Sequence, residues 1–248
     1  MDGTGPTVIA VIPARWGSTR FPGKPLAVLG GEPMIAHVVR RAHAASTVSA
    51  VLVATDDERV AAAGAAAGAE VVMTGVCASG TDRVAEAVLG RAGWDIVVNV
   101  QGDEPRIAPE NIDALVGGMI AAPGVGMATL CWPLPPDRIS DPNAVKVVRS
   151  VAHLALYFSR SPLPYPRNQE VARELWLLHL GIYGFRREAL AGYVNLPPSP
   201  LERAEGLEQL RALENGMPIL VLDAPRPAWG VDTPDDLAEA ERALLGES

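Results

Sequence analysis

The residues best suited to chemistry are concentrated in residues 12–25, which read IPARWGSTRFPGKP. This stretch contains the cations Arg15, Arg20 and Lys24, together with hydroxyls and glycines. Guanidinium forks, a compact ammonium charge and backbone N–H groups are the groups with which proteins hold a triphosphate. The spacing is neither that of a Walker loop nor that of a GxGxxG dinucleotide loop. The stretch therefore predicts a phosphate-binding loop of another kind, and a solvated basic loop is the alternative.

Two aspartates form a second group of candidates. Asp103 lies in QGDEP, directly after the apolar run at 96–100, and Asp232 lies in GVDTP near the C-terminus. A carboxylate that follows a buried strand can reach a metal ion held between phosphates, because Mg²⁺ prefers oxygen ligands and takes few of them from the protein. Helix capping is the alternative for both residues.

The segment SGTDR at residues 79–83 lies between a predicted strand and a predicted helix. On its residues alone it is a helix start with a hydroxyl cap. The chain shows no Ser/His/Asp or Cys/His arrangement of the kind used in nucleophilic catalysis, which disfavours a covalent intermediate.

These candidates need a framework, and the first half of the chain predicts one with a parallel sheet. Strands are predicted at 8–12, 50–54, 70–73, 96–100 and 126–130, and helices at 34–45, 58–67, 83–89 and 110–120. Apolar strands separated by single helices indicate an α/β fold with a doubly wound, mostly parallel sheet. Such sheets bind ligands at the carboxyl ends of their strands, where residues 12–25 and Asp103 lie.

The pattern becomes antiparallel near residue 143. Residues 145–149 and 152–157 predict a hairpin, and the prolines within 161–167 exclude a regular helix there. A polar helix at 169–174 and a strand at 177–185 are expected to follow. We predict a single domain over residues 1–248, in which 143–186 form an antiparallel insert that covers a site or makes a dimer contact.

Two helix starts are marked near the C-terminus. Ser199, followed by Pro200 and Glu202, predicts a capped helix that runs to about residue 215 and stops at Gly216. Thr233, followed by Pro234, predicts the cap of the last helix in the same way.

Composition excludes several classes of protein. A formal net charge of -8 over 248 residues argues against a general nucleic-acid binder, although local Arg and Lys can still dominate a pocket. Cys77 and Cys131, both in or beside apolar runs, predict reduced core thiols and not a disulfide framework. The chain has no secretory pattern and no apolar run near the ~20 residues of a membrane span, so the expected compartment is the cytoplasm.

The motifs together resemble those of sugar-activating cytidylyltransferases, especially the CMP-Kdo synthetase (3-deoxy-manno-octulosonate cytidylyltransferase) family, where Kdo is 3-deoxy-D-manno-octulosonate. The resemblance follows the chain in order and spans nearly all of it. It covers residues 12–24, 30–40, 54–56, 79–83, 99–105, 143–147, 155–160, 179–184, 199–211 and 230–234.

The resemblance implies a nucleotidyltransferase-like Rossmann variant and the reaction CTP + Kdo = CMP-Kdo + diphosphate, a step of lipopolysaccharide biosynthesis. It assigns a Mg²⁺ cofactor to Asp103 and Asp232, and it makes Arg15 and Lys24 the catalytic cations. It also implies a homodimer formed through the 143–186 insert.

Binding roles are likewise implied by the resemblance. The nucleotide would contact Pro13, Ala14, Arg15, Ser18, Thr19, Arg20, Lys24, Ser79, Gly80, Arg83, Gln101 and Asp103. The sugar acid would contact Gln101, Arg160, His179, Tyr183, Glu208 and Gln209. Taken alone, His179 fits a satisfied core histidine, and Glu208 and Gln209 fit ordinary helix surface.

Three residues depart from the family pattern near the expected sugar and metal sites. Leu178 replaces a frequent basic residue, Phe185 replaces a frequent Tyr, and Trp229 replaces a small residue. They leave open the activation of another acidic sugar or of a phosphonate. The alternative of a different class is a catalytically silent nucleotide-binding protein, which the two aspartates and the basic loop disfavour. An oxidoreductase is disfavoured because no dinucleotide fingerprint follows the first strand.

Overall fold

The computed structural model describes residues 5–17, 21–168, 171 and 174–244. Its strands are β1 (Val8–Ala14), β2 (Val28–Leu29), β3 (Glu32–Pro33), β4 (Ala50–Thr55), β5 (Glu70–Met73), β6 (Ile96–Asn99), β7 (Met127–Pro133), β8 (Lys146–Arg149), β9 (Ala155–Ser159), β10 (Leu177–Arg186) and β11 (Ile219–Asp223). Its α-helices are α1 (Met34–His43), α2 (Glu58–Ala66), α3 (Gly80–Leu89), α4 (Pro109–Ala121), α5 (Arg187–Val194), α6 (Pro200–Glu205), α7 (Leu210–Glu214) and α8 (Pro234–Leu244). No helix within the described ranges is long and apolar enough to cross a membrane.

The chain divides into two compact units, and the first contains Met1–Asp113 and Pro227–Ser248. Its main strands run parallel in the order β6-β1-β4-β5. In β1, Val11 lies opposite Asn99 of β6 on one side and Leu52 of β4 on the other. Strands β1 and β6 are buried almost throughout, which explains their continuous apolar sequences. Because these strands are parallel, their carboxyl ends lie at one edge of the sheet.

The second unit, Ala114–Arg226, is mainly antiparallel. Strand β7 pairs in parallel with β11 and antiparallel with β10, while β8 pairs antiparallel with both β9 and β10. The α/β class with a mostly parallel sheet and antiparallel strands is thereby confirmed. The predicted hairpin corresponds to β8 and β9, and the predicted helix at 169–174 lies largely outside the described residues. The single domain and the dimer role of 143–186 stay predictions.

The predicted helix starts are correct, but one predicted helix is wrong in length. The Thr233 hydroxyl accepts the Asp236 N–H at 3.2 Å, and the Ser199 N–H donates to the Glu202 carboxylate at 2.9 Å. The stretch predicted as one helix from 199 to 215 is instead α6 and α7. Gly206 ends α6 with φ of +62°, a left-handed conformation that glycine adopts without the steric cost of a Cβ.

Asp113 of α4 forms hydrogen bonds with the loop that connects α1 to β4. Its carboxylate accepts hydrogen bonds from the backbone N–H groups of Ser46 and Thr47 at 3.1 and 2.8 Å, and from their hydroxyls at 3.0 and 2.7 Å. Burial alone would raise the pKa of Asp113, but these hydrogen bonds outweigh it and hold the pKa below its usual value.

We therefore expect Asp113→Asn to lower the free energy of unfolding by about 1–2 kcal/mol near neutral pH, because hydrogen bonds to an ionised carboxylate are lost. A group with a lowered folded-state pKa stabilises the fold above its unfolded pKa, here about 3.9. The difference from the wild type should therefore shrink as the pH falls below that value and through the lower folded-state pKa. Urea titrations at several pH values measure it, with the exposed Asp137→Asn as control. A difference that does not change with pH would contradict the assignment.

Candidate active site

A cleft of about 260 Å³ in the first unit gathers most of the predicted nucleotide and metal residues. The predicted residues that line it are Pro13, Ala14, Arg15, Lys24, Ser79, Gly80, Arg83, Gln101, Asp103 and Asp232. The cleft is also lined by four residues that were not predicted from the sequence as site residues, namely Pro25, Cys77, Ala78 and Gly102. The predicted residues Ser18, Thr19 and Arg20 lie outside the described residues.

The sheet explains why distant segments meet in this cleft. The chain leaves β1 at Ala14 and leaves β6 at Asn99, and these neighbouring parallel strands end at the same edge. Helix α3 brings its N-terminus to the cleft, where the Ser79 hydroxyl accepts the Asp82 N–H at 3.1 Å. The helix-cap reading of SGTDR is therefore correct, and the capped end also lines the cleft. The N-terminus of a helix attracts anions through its free N–H groups and its dipole.

Lys24 joins the two candidate metal aspartates. Its ammonium nitrogen lies 2.6 Å from Oδ2 of Asp103 and 3.2 Å from Oδ1 of Asp232. The backbone brings the two carboxylates together, because the Val231 N–H donates to the Asp103 carbonyl at 2.8 Å. The Asp232 N–H in turn donates to the carboxylate of Asp236 in α8 at 2.9 Å. One cation therefore contacts two carboxylates that come from distant parts of the sequence.

These two carboxylates are the residues that could hold a metal ion. A small divalent cation near the Lys24 ammonium would meet hard oxygen ligands, which Mg²⁺ prefers. Within the described part of the chain, no group of three or more His, Cys, Asp or Glu side chains is arranged to hold a metal. The donor set fits an ion that takes most ligands from water and phosphate, and does not fit a structural zinc site.

Glu104 limits the negative charge beside Asp103. Its side chain is buried, and burial, followed by the charge of Asp103, raises the pKa of Glu104 to about 8. The Glu104 carboxyl therefore holds a proton through neutral pH. QGDEP thus presents one charged carboxylate to the cleft, although the sequence contains two acidic residues there.

Arg83 and Cys77 both line the cleft, and each contacts a carboxylate. Arg83 donates to Asp56 at 2.8 Å and to the Thr74 hydroxyl. The Cys77 thiol lies 3.2 Å from the Glu86 carboxylate, and burial, with this contact, raises the pKa of Cys77 to about 11. Cys131 is buried as predicted, whereas Cys77 is only partly buried because its loop borders the cleft. Both thiols are free.

Most predicted sugar residues lie in the second unit, where His179 and Tyr183 are neighbours. Their ring centroids are 5.4 Å apart on β10, and the His179 Nε2 lies 3.0 Å from the Thr129 hydroxyl. Burial, followed by the negative charge of Glu208, raises the pKa of Tyr183 well above its usual value. Gln209 is buried at 2% exposure, so the helix-surface reading of this residue is wrong. Gln101 lies in the cleft of the first unit.

Arg160 is held by carbonyl groups. Its guanidinium donates to the carbonyls of Pro142, Glu205 and Gly206 at 2.9, 2.8 and 3.4 Å. The buried Lys146 supports it, because the Lys146 ammonium donates to the Arg160 carbonyl at 2.7 Å. Lys146 lies in the motif NAVKV, but its apolar surroundings gave no signal that it reaches the backbone of Arg160.

The three departures from the family pattern have different surroundings. Phe185 is fully buried, with its ring centroid 6.3 Å from that of Tyr183. Leu178 is buried and lies opposite Lys146 in the β8–β10 pair. Trp229, in the first unit, is 43% exposed and lies three positions before Asp232. Phe185 therefore places its ring beside that of the predicted sugar residue Tyr183, and Leu178 directly precedes the predicted sugar residue His179.

Comparison with known proteins gives one consistent result. A family model described as cytidylyltransferase matches residues 9–219. The 3-deoxy-manno-octulosonate cytidylyltransferase of Anaeromyxobacter dehalogenans (strain 2CP-C) is 52% identical over 242 residues, which cover 96% of this chain and 97% of the relative. The Escherichia coli protein of that name is 47% identical over 240 residues, 96% of each chain. The solved structure of CMP:2-keto-3-deoxy-manno-octonic acid synthetase complexed with CTP aligns with a TM-score of 0.92 at 45% identity, covering 98% of this chain and 100% of that one.

The surroundings of His179 predict its titration. Burial lowers the pKa of His179 to about 3, from an ordinary value of 6.5. We expect its imidazole to stay neutral between about pH 5 and pH 8, so that its NMR shifts do not change over that range. The resonance is identified as the one missing from His179→Gln.

The same lowered pKa has a consequence for stability. Between the two pKa values the unfolded chain binds the proton and the folded chain does not, so the stabilisation is lost as the pH falls below about 6.5. A titration midpoint for His179 between pH 5 and pH 8 would contradict this assignment.

Proposed function

Because the chain belongs to the cytidylyltransferase family, we propose that it transfers CMP from CTP to the anomeric hydroxyl of Kdo and releases diphosphate. The family inferred from the motifs is confirmed by the matches over nearly the whole chain. One observation carries the proposal: relatives about half identical over 96% of the chain are named for this reaction. The cleft of the first unit supports it with cations, a helix N-terminus and paired carboxylates suited to a nucleoside triphosphate.

The nucleotide roles follow from this cleft. Arg15 and Lys24 are proposed to neutralise charge that develops on the phosphates during transfer, which is the main task of proteins that catalyse phosphoryl chemistry. The capped N-terminus of α3 at Ser79 and Gly80 offers N–H donors to the nucleotide. Arg83 is fixed by Asp56 and Thr74, so it can contact the nucleotide without losing further side-chain freedom.

We propose that Asp103 and Asp232 hold Mg²⁺ during the reaction. When bound there, the ion would supply positive charge to the phosphates and lower the pKa of the attacking hydroxyl. Lys24 now occupies the same carboxylate oxygens. A divalent cation held there would match the charge of the two carboxylates and would leave the Lys24 ammonium available to phosphate oxygens.

The sugar roles are proposed for residues of the second unit. Arg160 would pair with the sugar carboxylate, since a guanidinium is the donor that matches a carboxylate. His179 stays neutral near pH 7, so it can donate a hydrogen bond to a sugar hydroxyl, or accept one from it, without adding charge. Glu208 and Gln209 offer further groups that recognise hydroxyls.

The reaction proposed is a direct in-line attack of the anomeric hydroxyl on the α-phosphorus of CTP. No covalent enzyme intermediate is required, because both substrates carry their own reacting groups and the protein contributes positioning and charge. The bond from the α-phosphorus to the bridging oxygen of diphosphate breaks as the new bond to the sugar oxygen forms.

Assembly and setting complete the proposal. We propose that the protein forms a homodimer through the antiparallel region 143–186. We also propose that it is cytoplasmic and acts in lipopolysaccharide biosynthesis. Exposed apolar side chains of this region, such as Leu156, Tyr165 and Leu175, support a protein contact there. Sedimentation velocity at micromolar protein concentration tests the dimer.

The metal assignment predicts the behaviour of Asp103→Asn. The amide removes one of the two charges that would bind the cation, so we expect diphosphate release from CTP and Kdo to fall by at least about a hundredfold. The fold should remain, as judged by circular dichroism and thermal unfolding. Asp137→Asn, at an exposed position of the 3₁₀ helix Pro136–Arg138 in the second unit, is the matched control and should keep full activity. Full activity of Asp103→Asn would refute the metal assignment.

The acceptor is tested with a panel of acids supplied with CTP. We expect kcat/KM for Kdo to exceed that for an amino-Kdo, a sialic acid and a phosphonate, as measured by diphosphate release. Phe185 bears on the acceptor alone, because it lies beside Tyr183 and lacks the hydroxyl of the Tyr that is frequent in the family. A larger kcat/KM for another acid would replace Kdo as the substrate and leave CMP transfer unchanged.

A further inference from the structure

Trp16 contacts Gly23, and both belong to the predicted phosphate-binding stretch. The Gly23 N–H donates to the Trp16 carbonyl at 3.1 Å, so the two residues are joined through the backbone. The Trp16 indole also packs directly on Gly23, where an added Cβ would lie 2.7 Å from the ring. Gly23 has a φ of +73°, which favours glycine for a second reason. Glycine at this position therefore permits a close contact that any larger residue would break.

The position of Gly23 determines the position of the Lys24 backbone. It is the N-cap of the one-turn 3₁₀ helix Lys24–Leu26, and its carbonyl accepts the Leu26 N–H at 2.9 Å. Lys24 then extends to Asp103 and Asp232. A shift of Gly23 is consequently passed to the lysine that holds both carboxylates.

Arg59 also packs on the Trp16 indole. The Arg59 guanidinium carbon lies 3.5 Å from the centre of the Trp16 ring, which is a close cation–π contact. Asp57 fixes the guanidinium with bonds of 3.0 and 2.6 Å, and it also accepts the Arg59 N–H at 2.9 Å as the N-cap of α2. The indole is thus stacked against a guanidinium fixed at the start of a helix that packs on the sheet.

We propose that Trp16 is a positioning residue for the transfer reaction, held by Arg59 and Asp57 and acting through Gly23 on Lys24. We call Asp57, Arg59, Trp16 and Gly23 the Trp16 clamp. The inference rests on the proposed function only in taking Lys24 as part of the catalytic cleft. Trp16 itself does not line that cleft, so it contributes by fixing the lysine and not by touching substrate.

A double-mutant cycle with Lys24 tests this role. We expect Trp16→Ala to lower kcat/KM for CTP by about tenfold, because a small displacement of a charged group is costly in a preorganised site. In a Lys24→Met background the same change should have almost no further effect, since the residue through which it acts is gone. Trp16→Phe, which keeps an aromatic face, should recover most of the activity. KM for Kdo should stay unchanged in the Trp16 variants.

The same double-mutant cycle can be measured without turnover, as the CTP affinity of the wild type, Trp16→Ala, Lys24→Met and the double variant determined by calorimetry. It also separates this inference from the proposed function, because diphosphate release by the wild type with CTP and Kdo tests the latter alone. Equal losses from Trp16→Ala in both backgrounds would show a general structural effect and overturn the proposal. An unchanged kcat/KM and CTP affinity in Trp16→Ala would overturn it as well.

Arg59 has a matched control in Arg91. Each is a partly exposed arginine of the first unit that lies 2.6 Å from a carboxylate, but Arg59 also stacks on Trp16. We expect Arg59→Ala to lower kcat/KM for CTP by about threefold, and to have no effect once Trp16 is Ala. Arg91→Ala should leave kcat/KM as it is. A loss with Arg59→Ala that persists in the Trp16→Ala background would show that Arg59 acts without the clamp.

Discussion

The cleft depends on one charge interaction, the contact of the Lys24 ammonium with both Asp103 and Asp232. Two carboxylates brought this close repel each other unless a cation lies between them. The lysine provides that cation while keeping the carboxylates oriented. The end of β6, the start of α8 and the turn at Gly23 each contribute one member of this group. The interaction therefore requires three segments that are far apart in sequence to meet at one edge of the sheet.

The lining of the cleft reconciles an acidic chain with a highly anionic nucleotide. The overall charge of -8 would repel CTP, but the cleft is lined by Arg15, Lys24 and Arg83 and by the N-terminus of α3, which outweigh the two carboxylates Asp103 and Asp232. The protonated Glu104 keeps a further negative charge away from Asp103. The charge of the cleft thus depends on where charged side chains lie and on which are buried, and the net charge of the chain says little about the ligand.

Much of the fold was predictable because local signals agreed with it. The buried strands β1 and β6 are continuous apolar runs, and the caps at Ser199 and Thr233 carry their own residue patterns. Gly206 was misread because a glycine within a helical pattern does not reveal whether it takes a left-handed conformation.

The contents of the cleft were predictable only in part. Motifs placed Lys24 and Asp103 at the edge of the sheet, but Cys77 and Gly102 border the cleft through the course of their loops. Trp16 likewise gave no signal, since its partners Arg59 and Gly23 are defined by packing between segments.

The most direct test of the account is the fate of the α-phosphate of CTP. The chain is incubated with Kdo, a magnesium salt and CTP labelled at the α-phosphate, and the products are separated by anion exchange and identified by mass. The account predicts that the label is recovered with the sugar acid as CMP-Kdo, together with an equal amount of unlabelled diphosphate. Label found in free CMP, or left in CTP while Kdo is unchanged, would contradict it.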